Sequence, residues 1–198
     1  DSQCLQPIVK RLQKRLLTNG LLLHNVLADT GYSSGDNYAF FEEFNITAYI
    51  PPHGMYKGGP DGLTYHKEGD YWECIQGKRA VFKRTLFYSG VKKKQYATRN
   101  MDCVGCPIKA KCIKKSKQKR FEVTFYREEY ERMIARLKTH RGKQLKSKRQ
   151  STVEPVFGSL TQFFGMRKVN TIGINQANKV MLMSATAYNL KKYLKFIQ

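Results

Sequence analysis

Three cysteines stand close together as Cys103-x2-Cys106-x5-Cys112, and a fourth, Cys74, precedes them. Thiolates are soft ligands, and zinc commonly takes four of them in a closed structural site. The C-x-x-C spacing suits one knuckle, while the second pair is irregular; reduced surface thiols without metal are the competing reading. Five cysteines is an odd count. With the clustering, it points to metal ligation in a reducing compartment over a disulfide framework. Cys4 falls in a helical stretch and is expected only to pack. His53 and His66 are weaker candidate ligands that read as loop residues.

Two carboxylates are the other candidates for chemistry. Asp29 follows the apolar run Val26-Leu27-Ala28 and precedes Thr30-Gly31. A carboxylate just past a buried strand sits at the usual functional edge of an α/β sheet, and the plain alternative is an acceptor for the following turn. Glu154 lies in Ser151-Thr152-Val153-Glu154-Pro155. Its plain alternative is a helix start, since Ser151 and Glu154 have capping-box spacing and Pro155 suits a first turn.

The chain has 198 residues and a net charge of +21, from 36 basic and 15 acidic residues. That excess favours a polyanionic partner, because each neutralised phosphate releases a counterion. The bland reading is a basic surface that keeps the protein soluble. Basic blocks occur at Lys92 to Lys94, at Lys109 and Lys111, at Lys114, Lys115, Lys117, Lys119 and Arg120, and from Lys138 through Lys146 and Lys148 to Arg149. Arg167 and Lys168 follow. Contacts to DNA phosphates are favoured here, with Trp72, Tyr88 and Tyr96 able either to stack on bases or to pack. No run approaches the roughly 18 apolar residues of a membrane span, and no secretory leader is visible.

The elements that must position these residues follow from periodicity. Residues 2–19 read as an amphipathic helix with a Leu5, Ile8, Leu12, Leu16 stripe, capped by Asp1 or Ser2 and ended by Gly20. His24 to Ala28 and Ile46 to Ile50 read as buried strands flanking a short helix from Asp36 to Phe44. The stretch 53–125 reads as an insertion of loops and short strands. Helices return at Arg127, with stretches over 138–149 and 153–164. A last helix carries Val180, Met183, Ala187, Leu190, Leu194 and Ile197 as a core stripe. The division is therefore 1–52, part of a core; 53–125, a cysteine- and lysine-rich insertion; and 126–198, a helical part carrying the glutamate. Alternating helices and strands imply an α/β sheet.

Together the two acidic segments resemble a known family. Ala28-Asp29-Thr30-Gly31-Tyr32-Ser33 resembles the second-aspartate motif of bacterial insertion-sequence DDE transposases, and Val153-Glu154-Pro155-Val156-Phe157-Gly158 their glutamate motif. Asp1-Ser2-Gln3 with Leu5 and Pro7 looks like the start of the helix preceding that aspartate. Asp70-Tyr71, Cys74, Gly77 and the Cys103–Cys112 cluster look like the cysteine-bearing insertion of one transposase group. The resemblance implies an incomplete RNase H-like fold with an irregular, zinc-binding insertion and C-terminal helices. It implies Asp29 and Glu154 as catalytic ligands of Mg2+ (or Mn2+), and DNA as partner at both element ends and target. It also implies a cytoplasmic, nucleoid-associated protein and a homo-oligomer. The first aspartate of the triad is not found in this sequence, so the chain reads as a portion inactive by itself. Thr161 stands where related transposases often carry a lysine. The alternatives are a non-catalytic basic DNA-binding protein with a zinc-stabilised module and, more distantly, an RNA-binding basic protein.

Overall fold

A computed structural model describes residues 2–197; the cap expected of Asp1 lies outside them. The chain divides into two compact units, residues 1–142 and 143–198.

In the first unit, helix α1 (Ser2–Leu17) packs on a small βαβ element. Strand β1 (Asn25–Leu27) runs parallel to β2 (Thr47–Tyr49), and helix α2 (Gly35–Glu43) crosses between them. Ser34 caps α2, its Oγ accepting from the amide of Asn37 at 3.1 Å. The α1 stripe differs from the expected one. Leu5 and Val9 are buried, whereas Ile8 and Leu12 are 48% and 42% exposed, because α1 meets α2 and the turn after β1 along only one narrow face. The core joins Leu5 and Val9 to Tyr38, Phe40, Phe41, Ile46, Ala48, Ile50 and Met133. Met133 comes from helix α4 (Arg127–Lys138). Arg132 of that helix forks onto both oxygens of Glu42 on α2, at 2.9 and 2.7 Å.

The stretch expected to be irregular is a regular antiparallel meander. Its order is β3 (Leu63–His66), β4 (Tyr71–Cys74), β5 (Arg79–Tyr88), β6 (Val91–Ala97) and β7 (Arg120–Thr124). One face buries Trp72, Ala80, Tyr96 and Val123, with Leu63, Tyr65 and Phe121 against them. Trp72 and Tyr96 are thus core residues, not stacking platforms. Between β6 and β7 lie a 3-10 turn (Asn100–Cys103) and the single-turn helix α3 (Lys109–Cys112).

Thr139 breaks the chain between α4 and α5 (His140–Phe163). Its Oγ1 accepts from the amide of Gly142 at 3.0 Å and so caps α5. The capping box expected at Ser151 and Glu154 is therefore not formed. Ser151 donates to the carbonyl of Lys148 within one continuous helix, and the two stretches expected over 138–149 and 153–164 are one. In the second unit, helix α6 (Ile174–Phe196) has no buried residue. The stripe expected to be core is open, with Met183 73% and Leu190 57% exposed. Contact with the end of α5 runs instead through Ser184, which donates to the carbonyl of Phe164, and Tyr188, which packs edge-on to that ring.

Asp70, at φ 44°, ties the meander together. Its Oδ1 accepts from the hydroxyls of Tyr65 (2.8 Å) and Tyr96 (2.5 Å), and Oδ2 from Lys94 (3.1 Å). Burial pushes its carboxyl up, but these three donors outweigh that and hold it below the usual carboxylate range. The folded state thus holds the Asp70 proton less tightly than the unfolded chain. Its contribution is present above the ordinary value of about 3.9 and is lost as pH falls through the lower folded value. Asn tolerates the left-handed backbone, so Asp70→Asn isolates the charge. We expect it to cost about 1–2 kcal/mol at neutral pH, discounted for partial solvation, and to flatten the acid limb of urea midpoints measured against pH. An unchanged acid limb would remove Asp70 from this role.

Candidate nucleic-acid and metal sites

Asp29 stands two residues beyond β1, at the C-terminal end of the parallel pair. It caps the 3-10 turn Thr30–Tyr32, accepting from the Thr30 amide at 2.7 Å and the Thr30 hydroxyl at 3.4 Å. Both contacts fall on Oδ1, and the side chain is exposed. The turn-acceptor role is therefore real, and it uses only one of the two oxygens. Glu154 lies mid-helix in α5, with Oε1 accepting from Arg149 at 3.3 Å and a side chain 58% exposed. Asp29 belongs to the first unit and Glu154 to the second. Carboxylate oxygens suit a hard divalent cation. Among the described residues, however, no three His, Cys, Asp or Glu side chains stand close enough to hold a metal ion.

The four clustered thiols share a different environment. Cys74, Cys103, Cys106 and Cys112 all line one cavity of about 530 Å³, with Leu63, Ile75, Ile108 and Ile113 in its walls. Each is half-buried, whereas Cys4 is exposed on α1. Cys74 ends β4 at a turn closed by the Gly77 amide donating to its carbonyl at 2.8 Å. Gly77 sits at φ 71° and Gly105, inside the Cys103–Cys106 turn, at φ 67°. Both backbones are left-handed, where a Cβ would strain the turn. His66 is not at this cavity; it pairs with Glu73 at 2.9 Å and stacks on Tyr71. His53 is an exposed loop residue.

The basic residues fall into two groups. Lys92 lies over the Phe125 ring at 3.7 Å, Lys93 reaches Tyr88 and Glu122, and Lys94 holds Asp70. That lysine run is part of the sheet. Lys119 is also held, donating to the carbonyl of Cys112 at 3.3 Å and lining the thiol cavity. In contrast, Lys114, Lys115 and Lys117 in the loop before β7, and Arg120 on β7, are exposed. Lys146 and Lys148 are exposed on α5, while Arg149 is turned onto Glu154. Arg167 and Lys168 are exposed between α5 and α6, and Thr161 is absorbed by its own helix, donating to the Phe157 carbonyl.

The Asp70 network is invisible in the sequence, because three donors from two strands, Tyr65 on β3 and Lys94 and Tyr96 on β6, converge only once the register is known. So is the polar cleft of about 1010 Å³ between the start of α1, α2 and the β5–β6 turn.

The family model described as a transposase DDE domain matches residues 73–194. The chain belongs to that family. The matched span takes in Cys74, Cys103, Cys106, Cys112 and Glu154, and begins after Asp29. No curated protein and no solved structure gives a match. Among the described residues of this DDE-domain chain, no helix is long and apolar enough to cross a membrane.

The cavity placement of the thiols makes a direct prediction. In the native, reduced protein a bulky thiol reagent labels Cys4 first, and Cys74, Cys103, Cys106 and Cys112 follow only slowly. Peptide mapping of partly labelled protein reads the order. Equal labelling of all five would contradict the shared cavity.

Proposed function

We propose that this chain is the catalytic-domain portion of a bacterial insertion-sequence transposase, acting in metal-dependent cleavage and transfer of DNA strands. The observation that carries the reading is the DDE-domain match, which includes Glu154 and lies in a chain of net charge +21. On this reading the fold is RNase H-like, with residues 1–52 and 126–198 as core and 53–125 as the cysteine- and lysine-rich insertion. Asp29 and Glu154 supply two of three carboxylates for Mg2+ (or Mn2+). Such ions activate a water or 3′-hydroxyl and stabilise the leaving oxygen. Cleavage is expected only where a third carboxylate is supplied. A structural Zn2+ is held by Cys74, Cys103, Cys106 and Cys112.

The DNA contacts are assigned to exposed cations: Lys114, Lys115, Lys117 and Arg120 on the insertion, and Lys146, Lys148, Arg167 and Lys168 on the helical part. Lys119 and Arg149 act from behind them, the first at the Cys112 backbone and the second at Glu154. The protein is placed in the cytoplasm, at the nucleoid, as a homo-oligomer on paired element ends and target.

Two measurements test this. Duplex affinity should fall steeply with salt, and a combined Lys114→Gln, Lys115→Gln, Lys117→Gln variant should lower the log–log slope by about 0.9 for each phosphate it no longer neutralises. A wild-type slope in the variant would remove those lysines from the interface. Mn2+ binding followed by calorimetry should weaken in Asp29→Asn and in Glu154→Gln; binding unchanged in both would end the two-carboxylate assignment.

A further inference from the structure

The segment from Arg99 to Lys119 is closed at its base, shaped by local turn hydrogen bonds, and nearly without a core of its own. At the base, the Thr98 amide donates to the Lys119 carbonyl at 3.0 Å, and the Lys119 amide to Thr98 Oγ1 at 3.1 Å. Within the segment only Ile113 is buried, at 8% exposure, and α3 is a single turn. A stretch of this length with one core residue gains too little from burial to fix its own shape and needs a staple. Its three cysteines all face the cavity that Cys74 borders from the end of β4. The two sides of that cavity are held differently. Cys74 ends a strand paired on both edges, while Cys103, Cys106 and Cys112 sit on a segment held by local turns and a single buried residue.

The lysines are sorted by the same cavity. Lys109, Lys111 and Lys119 line it. Lys114, Lys115 and Lys117 lie outside its lining and are exposed. A divalent ion with four thiolates carries net negative charge, and the lining lysines are positioned to offset it. The outer lysines then remain for phosphates. Among the described residues no three of these thiols stand at metal-holding distance, so uptake of one ion would draw Cys103, Cys106 and Cys112 together with Cys74, and Lys114, Lys115 and Lys117 follow Cys112 directly in the chain.

We infer that zinc taken up by Cys74, Cys103, Cys106 and Cys112 sets the Arg99–Lys119 segment, and that DNA affinity of the whole chain depends on that zinc. This rests on the thiol-site and DNA readings given above. The test uses the full chain, stripped of metal under reducing conditions and reloaded with Zn2+ or Co2+. We expect one equivalent of Co2+ to give the charge-transfer and d–d bands of a tetrahedral thiolate site, and Zn2+ to slow amide exchange across residues 99–119. Affinity for a duplex of arbitrary sequence, read by fluorescence anisotropy, should rise by about tenfold on zinc loading, the size expected for neutralising a few more phosphates. Cys74→Ser should shift the Co2+ bands and lower the zinc effect, while Cys4→Ser should leave both unchanged. Because Cys74→Ser can also disturb β4, Lys114→Gln with Lys117→Gln provides a second variant. It should keep the Co2+ spectrum and lose most of the zinc-dependent gain. Thiolate bands with equal DNA affinity in both states would overturn the coupling and leave the metal site standing. An absence of thiolate bands would overturn site and coupling together. A chain that fails to bind DNA in either state would instead overturn the functional reading on which the coupling rests.

Discussion

Like-charge repulsion is the constraint under which the rest of this chain is built. At a net charge of +21, a compact state must separate its cations or give them partners. The few acids are placed accordingly. Asp70 takes Lys94, Glu122 takes Lys93, Glu131 takes Arg127, and Arg132 gathers Glu42, Glu128 and Glu129. Single exposed pairs of this kind contribute little. Their effect here is geometric: they fix which cations are turned inward. Aromatic faces take further ones, with Arg79 over Tyr71 and Arg127 over both Tyr65 and Trp72. Arg127 matters twice over, because it opens α4 while capping the aromatic core of the meander. The βαβ element and the meander are joined through that helix.

The consequence is that lysine density in the sequence is a poor guide to which cations stay free at the surface. The run Lys92–Lys94 looks like the simplest phosphate-binding block, yet all three ammonium groups are engaged within the sheet. Cations left to solvent include Lys114, Lys115 and Lys117 in the loop before β7, with others on β5, β7 and α5. A basic loop and a cavity rich in thiols lie side by side in the chain, with Lys109, Lys111 and Lys119 in the cavity lining and Lys114, Lys115 and Lys117 outside it.

Much of the βαβ element is legible in the sequence because its signals are local. Apolar runs, with Pro51-Pro52 as a stop, place β1, α2 and β2 within a residue or two of where they fall, while the Ser34 cap emerges only from the structure. The meander is less so. Its strands mix Lys and Arg with aromatics, and β5 carries an irregularity between Phe82 and Arg84 that breaks simple alternation. Its pairing is set by contacts between strands that no window of sequence contains. The Ser151–Glu154 signal misleads for a different reason. A capping box marks a start only if the preceding residues are not already helical, and Thr139 starts α5 well upstream. The α6 stripe reads as core from its period alone, but period specifies a face and says nothing of what covers it. Of the candidate site residues, Asp29 and the thiols stand out by motif, while the division of the lysines into bound and exposed depends on the fold.

What separates a structural carboxylate from one available to a ligand is how many of its oxygens are already used. Asp70 has Oδ1 held by two tyrosines and Oδ2 by Lys94, and Glu42 has both oxygens on Arg132. Neither can turn to a cation without dismantling a packed network. Asp29 and Glu154 differ from both. Asp29 makes its protein contacts through Oδ1 alone, to the turn that orients it, and Glu154 through Oε1 alone, to one arginine at 3.3 Å. A backbone amide bond to one oxygen leaves a carboxylate aimed rather than occupied. A single arginine contact to an exposed glutamate is weak enough to be exchanged for a divalent ion. Several other acids, Glu73 and Glu131 among them, also bind through one oxygen only, so a clear oxygen permits a ligand role without assigning one; what sets Asp29 and Glu154 apart is the pair of acidic motifs that carries them.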